Sequence, residues 1–188
     1  MRRSSLTRAL AILLFLCAAT FAIAPATGQD IAGLDALKQG GYVVLMRHAQ
    51  TVPGTGDPEG MVLGDCSTQR NLDERGKKQA ADLRKSFRAA GVAFSWVLSS
   101  PWCRCMDTAR LVAPEVEVEA SEALASSWRS DQAARAARAE EARRIITEWR
   151  GPGNLLMVTH YVNASAINGA ALGSGRFVVI EPATMQIV

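Results

Sequence analysis

Residues 42–49, with the sequence YVVLMRHA, are the segment from which the rest of the chain can be placed. The run begins with five residues that are β-branched, aromatic or long aliphatic and lack polar alternation, so it predicts a strand buried on both faces of a sheet. The run stops at Arg47 and His48. Ligands of open α/β sheets bind beyond the carboxyl ends of the strands, so these two side chains are candidates for a binding site.

A second apolar run, residues 155–159, is followed directly by His160. An arginine and a histidine at one strand end are by themselves more often a surface accident than a site. The chain contains two histidines, however, and both follow predicted strands. This repetition favours a shared site.

The N-terminus has the layout of a secretory signal peptide: a basic start, an apolar middle and small residues near position 26. We predict a signal peptide at residues 1–26, cleaved after Ala26 or Gly28, and export, with the periplasm as the expected location. A membrane anchor would need about 20 apolar residues, and this run is shorter, so no stable membrane insertion is expected after cleavage. Cys17 could indicate a lipoprotein, but bulky Leu16 precedes it.

The positive charge of the chain resides in this leader. It holds three arginines and no acidic residue, so the 21 basic and 18 acidic residues of the whole chain become 18 of each. A near-neutral protein lacks the general electrostatic footprint of a nucleic-acid binder, so no nucleic-acid partner is predicted. Residues 27–188 have a length suited to a single domain.

Three cysteines follow the leader, and an oxidising compartment favours a disulfide between two of them. Cys103 and Cys105 are too close in sequence to pair comfortably. We therefore predict a bond from Cys66 to one of them, with Cys103 preferred; the alternative is three free buried thiols. Cys-x-Cys alone is a poor zinc signature, and no metal site is predicted.

Strand and helix patterns alternate along the remaining chain. Asn71 and Glu74 have the spacing of a capping box, and Pro101 suits the first turn of a helix that carries Arg104. We predict helices over 31–39, 71–91, 101–111, 131–149 and 162–172, and strands over 94–98, 116–119, 154–159, 177–180 and 185–188. Alternation of this kind predicts an α/β three-layer sandwich with a mainly parallel central sheet and helices on both faces.

This arrangement gathers Arg47, His48, Arg104 and His160 at one edge of the sheet. Arginine donates paired N–H groups that match phosphate oxygens, and a histidine ring nitrogen can attack phosphorus. Phosphoryl transfer needs mainly placement and charge stabilisation. The residues therefore predict a phosphate site.

The segments 47–51 (RHAQT), 100–104 (SPWCR) and 158–160 (VTH) resemble the three motifs of the histidine phosphatase (phosphoglycerate-mutase-like) superfamily. Residues 72–80 are also similar to the family's pattern before its first long helix. The resemblance implies a phosphoglycerate-mutase-like fold, a phosphohistidine formed at His48, and a phosphate pocket completed by Arg47, Arg104 and His160. It implies no metal or organic cofactor.

The chain departs from the family pattern in three places. Ala49 replaces a glycine, Gly54 stands where an asparagine often contacts phosphate, and Ser126 stands where the family's general acid is expected. Glu122 and Asp131 are the nearest carboxylates, and we assign the acid to Glu122. Its other interpretation is an ordinary surface carboxylate.

Export and residues 66–71 (CSTQRN) resemble an exported bacterial branch that includes lipopolysaccharide-heptose phosphatases. The resemblance implies a phosphomonoesterase acting on a small phosphorylated substrate, with an envelope sugar phosphate as the leading class. Two alternatives are a non-catalytic phosphate- or phosphosugar-binding protein and a phosphohistidine-protein phosphatase.

Overall fold

The segment YVVLMRHA forms a strand that ends where the sequence predicts, in a computed structural model that describes residues 28–188. The predicted signal peptide lies outside the described residues. The elements in chain order are α1 Gly28–Leu37, β1 Val43–Arg47, a 3-10 turn Cys66–Thr68, α2 Glu74–Ala89, β2 Phe94–Ser99, α3 Cys103–Val112, β3 Val118–Ala120, a second 3-10 turn Glu122–Leu124, α4 Gln132–Glu148, β4 Asn154–Thr159, α5 Tyr161–Asn168 and β5 Phe177–Ile180.

The five strands form one sheet in the order β3-β2-β4-β1-β5. β1 pairs in parallel with β4, so that Val43 lies opposite Leu155 and Arg47 lies opposite Thr159. β2 pairs in parallel with β3 and β4, whereas β5 runs antiparallel to β1. The predicted α/β fold with a mainly parallel sheet is confirmed.

The sheet is covered on both faces, which explains the unbroken apolar run in β1. Val44 and Met46 pack into a cluster with residues of α2 and α3. Val43 and Leu45 face the opposite side and pack with residues of α4 and α5. Successive strand residues point to opposite faces, so two buried cores require apolar residues at every position.

The predicted capping box at the start of α2 is wrong. Asp73 is the N-cap, and its side chain accepts a hydrogen bond from the backbone N–H of Gly76. Leu72 forms an antiparallel bridge with Thr51, which keeps the chain extended up to that point. Asn71 instead donates to the carbonyl oxygen of Cys66, at 2.6 Å.

Three other boundaries differ from the prediction. Pro101 precedes the N-cap residue of α3 and is not within its first turn. α5 ends at Asn168 because Gly169 takes a left-handed conformation, with φ of 79°. The predicted pairing of residues 177–180 with 185–188 is reduced to an isolated antiparallel bridge between Ile180 of β5 and Ile187, on the side of β5 that does not face β1.

Gly76 marks a close approach between α2 and the loop that follows β1. A Cβ atom at this position would overlap the backbone carbonyl of Gln50. The glycine therefore allows the first turn of α2 to lie directly against that loop. Between residues 28 and 188, no helix combines the length and the apolar character needed to cross a bilayer.

Candidate active site

The carboxyl ends of β1 and β4 bring the two histidines together. His48 follows β1, and His160 follows β4 and precedes α5. The His48 backbone N–H donates to the Thr159 carbonyl oxygen at 2.9 Å, which continues the parallel ladder to the site. The two ring centroids are 5.5 Å apart with an interplanar angle of 67°, and the residues are only 3% and 5% exposed.

The ring of His48 is held in one tautomer. Its Nδ1 lies 2.8 Å from the carbonyl oxygen of Ala49, and a carbonyl can only accept, so Nδ1 carries the proton. The lone pair is therefore on Nε2. Burial lowers the pKa of His48 to about 3, and the positive charges of Arg104, Arg47 and Arg70 act in the same direction against the hydrogen bond to Ala49. The imidazole is neutral at physiological pH, as a nucleophile must be.

His160 is fixed by partners on both ring nitrogens. The Ser100 hydroxyl lies 2.8 Å from Nε2, and Nη2 of Arg104 lies 3.5 Å from Nδ1. The ring of Trp102 also packs against His160, with centroids 5.5 Å apart and an interplanar angle of 82°. Burial, followed by the charge of Arg104, holds the pKa of His160 well below its ordinary value. Sequence reasoning missed Ser100 as a site residue, although it belongs to the SPWCR segment.

Arg104 projects from the first turn of α3 and is almost wholly buried. Its Nη1 and Nη2 donate to the two carboxylate oxygens of Asp57, at 2.6 and 3.2 Å. Asp57 also accepts from the Arg70 backbone N–H and from Trp102 Nε1, both at 3.1 Å. Burial alone would raise the pKa of Asp57, but the hydrogen bonds from Arg104, Arg70 and Trp102 outweigh it and keep the pKa below its usual value.

Two further guanidinium groups face the same space. Arg47 donates from Nη1 to the carbonyl of Leu172 at 3.1 Å, and its guanidinium carbon lies 5.6 Å from the centroid of the Tyr161 ring. Arg70 donates from Nη1 to the carbonyl of Gly54 at 2.7 Å. Burial lowers the pKa of both arginines. Sequence reasoning also missed Arg70, although it lies in the quoted CSTQRN segment.

These groups line one cavity of about 550 Å³. Its wall combines cationic, imidazole and aromatic side chains with a glycine-rich loop: Arg47, His48, Gly54, Thr55, Gly56, Asp57, Pro58, Gly60, Met61, Arg70, Trp102, Arg104, Ser126, Trp128, Arg129, His160, Tyr161 and Val162. Asp57 is the sole carboxylate among the described lining residues. With both imidazoles neutral, the cavity retains an excess of positive charge and is suited to a dianion.

The structure does not place Glu122, the predicted general acid, in the cavity. Glu122 is exposed on the second 3-10 turn and does not line the cavity, whereas Ser126 does. Asp131, the other nearby carboxylate, caps α4 by accepting from the backbone N–H of Ala134 at 2.8 Å. Both carboxylates that follow β3 therefore lie outside the cavity. The carboxylate that does line it, Asp57, belongs to the loop after β1.

The structure contains the predicted disulfide between Cys66 and Cys103, whose Cα atoms are 5.7 Å apart. The bond ties the long loop after β1 to the start of α3, one residue before Arg104. Cys105 is a buried free thiol, and burial raises its pKa to about 12. Within residues 28–188, no three His, Cys, Asp or Glu side chains are grouped so that they could hold a metal ion.

Comparison with known proteins agrees with this geometry. Residues 43–126 match the family model of the histidine phosphatase superfamily (branch 1). A search of curated proteins gave no match.

Three solved structures share the fold over most of their length. A proposed alpha-ribazole-5'-P phosphatase from Escherichia coli is 21% identical, with a TM-score of 0.56 over 75% of this chain and 90% of that one. The protein histidine phosphatase SixA, solved with tungstate, is 15% identical, with a TM-score of 0.57 over 78% and 94%. A phosphoserine phosphatase from Entamoeba histolytica is 14% identical, with a TM-score of 0.53 over 73% and 89%.

At these identities the structural likeness concerns the fold, and the sequence match concerns the family. The matched segment contains β1 with Arg47 and His48 and the start of α3 with Arg104. The match to the histidine phosphatase superfamily covers 84 of the 188 residues, and the solved phosphatase structures share the fold, so both findings agree with the geometry of the cavity.

Proposed function

We propose that the chain is an exported phosphomonoesterase that hydrolyses a phosphate ester through a phosphohistidine at His48. One observation carries the proposal. The Nδ1–H bond to Ala49 leaves the lone pair on Nε2 of a neutral, buried imidazole, and that imidazole lines a cavity with four guanidinium groups. A nucleophile beside concentrated positive charge is the arrangement that phosphoryl transfer needs.

The reaction has two steps. In the first, Nε2 of His48 forms a bond to phosphorus while the bond to the leaving oxygen breaks, and that oxygen receives a proton. In the second, water attacks phosphorus, the N–P bond breaks and phosphate leaves. Arg47, Arg104 and His160 hold the equatorial oxygens, where charge builds up in the transition state. The hydrogen bond from Nδ1 to Ala49 keeps the ring aligned through both steps.

For the substrate, we infer a small phosphorylated molecule, with an envelope sugar phosphate as the leading class. Trp102, Trp128 and Tyr161 line the cavity beside the arginines, and aromatic faces suit the apolar side of a sugar ring. The signal-peptide pattern of residues 1–26 supports export and a periplasmic location. The disulfide between Cys66 and Cys103 is consistent with an oxidising compartment.

The decisive experiment traps the phosphoenzyme. The mature protein is incubated with an aryl phosphate, quenched in alkali, in which phosphohistidine survives, and mapped by mass spectrometry. We expect phosphate on residue 48, and we expect the His48→Ala variant to lose both the adduct and turnover. Arg84→Gln, a basic residue on α2 outside the cavity, is the control and should retain both.

The same assay separates the alternatives. A protein that binds phosphate without turnover would be a phosphate- or phosphosugar-binding protein, and full activity in His48→Ala would refute the nucleophile. A panel of phosphosugars, nucleotides and phosphohistidine peptides then identifies the substrate class. A preference for the phosphohistidine peptides would replace the envelope sugar proposal.

A further inference from the structure

Asp57 is the acidic side chain that the cavity contains, and it comes from a segment that no motif covers. It lies nine positions after His48, in the long loop that follows β1. Its carboxylate is 12% exposed and receives four hydrogen bonds, two from Arg104 and one each from Arg70 and Trp102. A buried carboxylate that binds an arginine of the cavity through both oxygens is not explained as an ordinary surface charge.

We propose that Asp57 is the general acid of the reaction and delivers the proton to the leaving oxygen. This inference rests on the proposed function. The region after β3, where Glu122 and Asp131 lie, supplies no carboxylate to the cavity. Asp57, from the loop after β1, would thus supply the proton that no carboxylate of the region after β3 can supply.

Competition for Arg104 explains how an ionised carboxylate becomes an acid. A bound phosphate dianion takes the Nη1 and Nη2 donors that now hold Asp57, so the carboxylate loses two charge-assisted hydrogen bonds. It also gains an anion as its neighbour. Both changes favour the protonated carboxyl, because loss of a cationic partner and approach of a like charge each raise a carboxyl pKa.

The remaining contacts keep Asp57 beside the substrate during this exchange. The Trp102 Nε1–H and the Arg70 backbone N–H still reach the carboxyl. Gly56 and Gly60 flank the residue with φ of 74° and 76°, backbone conformations that glycine adopts without strain. A small adjustment of this loop moves the carboxyl from the guanidinium to the leaving oxygen.

The other charged groups facing Asp57 are poor proton donors. Arg104, Arg70 and Arg47 do not give up protons in proteins. His48 and His160 are neutral, and burial lowers the pKa of both. The Tyr161 phenol also lines the cavity, on the side where its ring contacts Arg47, and it provides the competing assignment to test.

The step balances in protons and electrons. As the N–P bond forms, the P–O bond breaks with both electrons on the leaving oxygen, and Asp57 transfers its proton to that oxygen. In the second step the Asp57 carboxylate accepts a proton from the attacking water. Release of phosphate returns Arg104 to Asp57, and the carboxyl gives its proton to solvent.

The test is the dependence of rate on the leaving group. Wild type and Asp57→Asn are compared over a series of aryl phosphates, from nitrophenyl to unsubstituted phenyl, and on an alkyl phosphate. We expect kcat/KM of the variant, which reports the first step alone, to fall by about 100-fold or more on the alkyl ester, the usual range for general acid catalysis, and by less than about tenfold on nitrophenyl phosphate. Asp57→Glu should recover part of the alkyl activity.

Glu59→Gln is the matched control, because it removes one carboxylate from the same loop at an exposed position outside the cavity. It should behave as wild type throughout. A uniform loss across the series in Asp57→Asn would mean that Asp57 only positions Arg104, and it would overturn the proposal. A leaving-group dependence that appears in Tyr161→Phe and not in Asp57→Asn would overturn it as well. If wild type hydrolyses no member of the series, the proposed function itself fails, which is a distinct result.

Discussion

Acidification should destabilise this protein through its two buried histidines. The ordinary pKa of 6.5 for His48 falls to about 3 in the folded chain, and that of His160 also falls well below 6.5. Below pH 6.5 the unfolded chain therefore binds protons that the folded chain excludes. Stability is fully present above pH 6.5 and is lost as the pH falls toward the folded values.

The magnitude follows from the pKa of His48. Each excluded proton lowers the free energy of unfolding by up to about 1.4 kcal/mol per pH unit, so His48 contributes a loss of about 2 kcal/mol between about pH 6.5 and about pH 4.5. Because the chain has only two histidines, the early part of this loss has few other sources. His160 adds a further loss in the same direction, because burial also lowers its pKa.

Urea unfolding followed by tryptophan fluorescence in phosphate-free buffers measures this loss. His48→Gln removes one of the two titrating groups, so its unfolding free energy should lose about 2 kcal/mol less than that of the wild type between about pH 6.5 and about pH 4.5. Carboxylates titrate in both proteins and cancel in the comparison. An identical pH dependence in the variant and the wild type would refute the assignment of a neutral, buried imidazole to His48.

Three further changes have defined outcomes. Replacing Cys66 and Cys103 by serine opens a crosslink that spans 37 residues, and urea titration should show a loss of about 3–4 kcal/mol together with weaker phosphate binding. Gly76→Ala should lower the free energy of unfolding by about 2 kcal/mol or more, because the new methyl group overlaps a loop carbonyl. Gly173→Ala is the control: its methyl group makes only an ordinary contact with the Arg176 side chain, so the free energy of unfolding should change by less than about 1 kcal/mol. Trp128→Ala should raise KM for sugar phosphates by about fivefold, the equivalent of about 1 kcal/mol of lost ring contact, with little change in kcat. Steady-state kinetics measures both constants, and a fall in kcat at unchanged KM would contradict the prediction.

The sheet and the convergence of four side chains were predictable because they follow from regular geometry. β1 and β4 appear in the sequence as unbroken apolar runs, and parallel strands end at a common edge. Arg47, His48 and His160 are therefore brought together by the backbone alone. Arg104 follows from its place in the first turn of α3.

The loop residues of the site were not predictable in the same way. Asp57 and Arg70 lie in a long loop whose path has no hydrophobic period and is fixed by tertiary contacts, including the Cys66–Cys103 bond. The helix cap predicted at Asn71 also failed because of a tertiary contact: the bridge between Leu72 and Thr51 keeps the chain extended, so α2 begins after Asp73. The sequence also did not indicate that Glu122 lies outside the cavity, because position after β3 does not determine which way a short 3-10 turn faces.

The pairing of β1 with β4 also has a consequence for how the protein matures. These strands are neighbours in the sheet, yet more than one hundred residues of chain separate them, and closing so long a loop is slow and comes at an entropic cost. Until β1 and β4 pair, His48 and His160 are not held close to each other. The complete site, which includes His160, forms only after this pairing, so bound phosphate stabilises the native state and no fragment ending before β4 should retain catalysis.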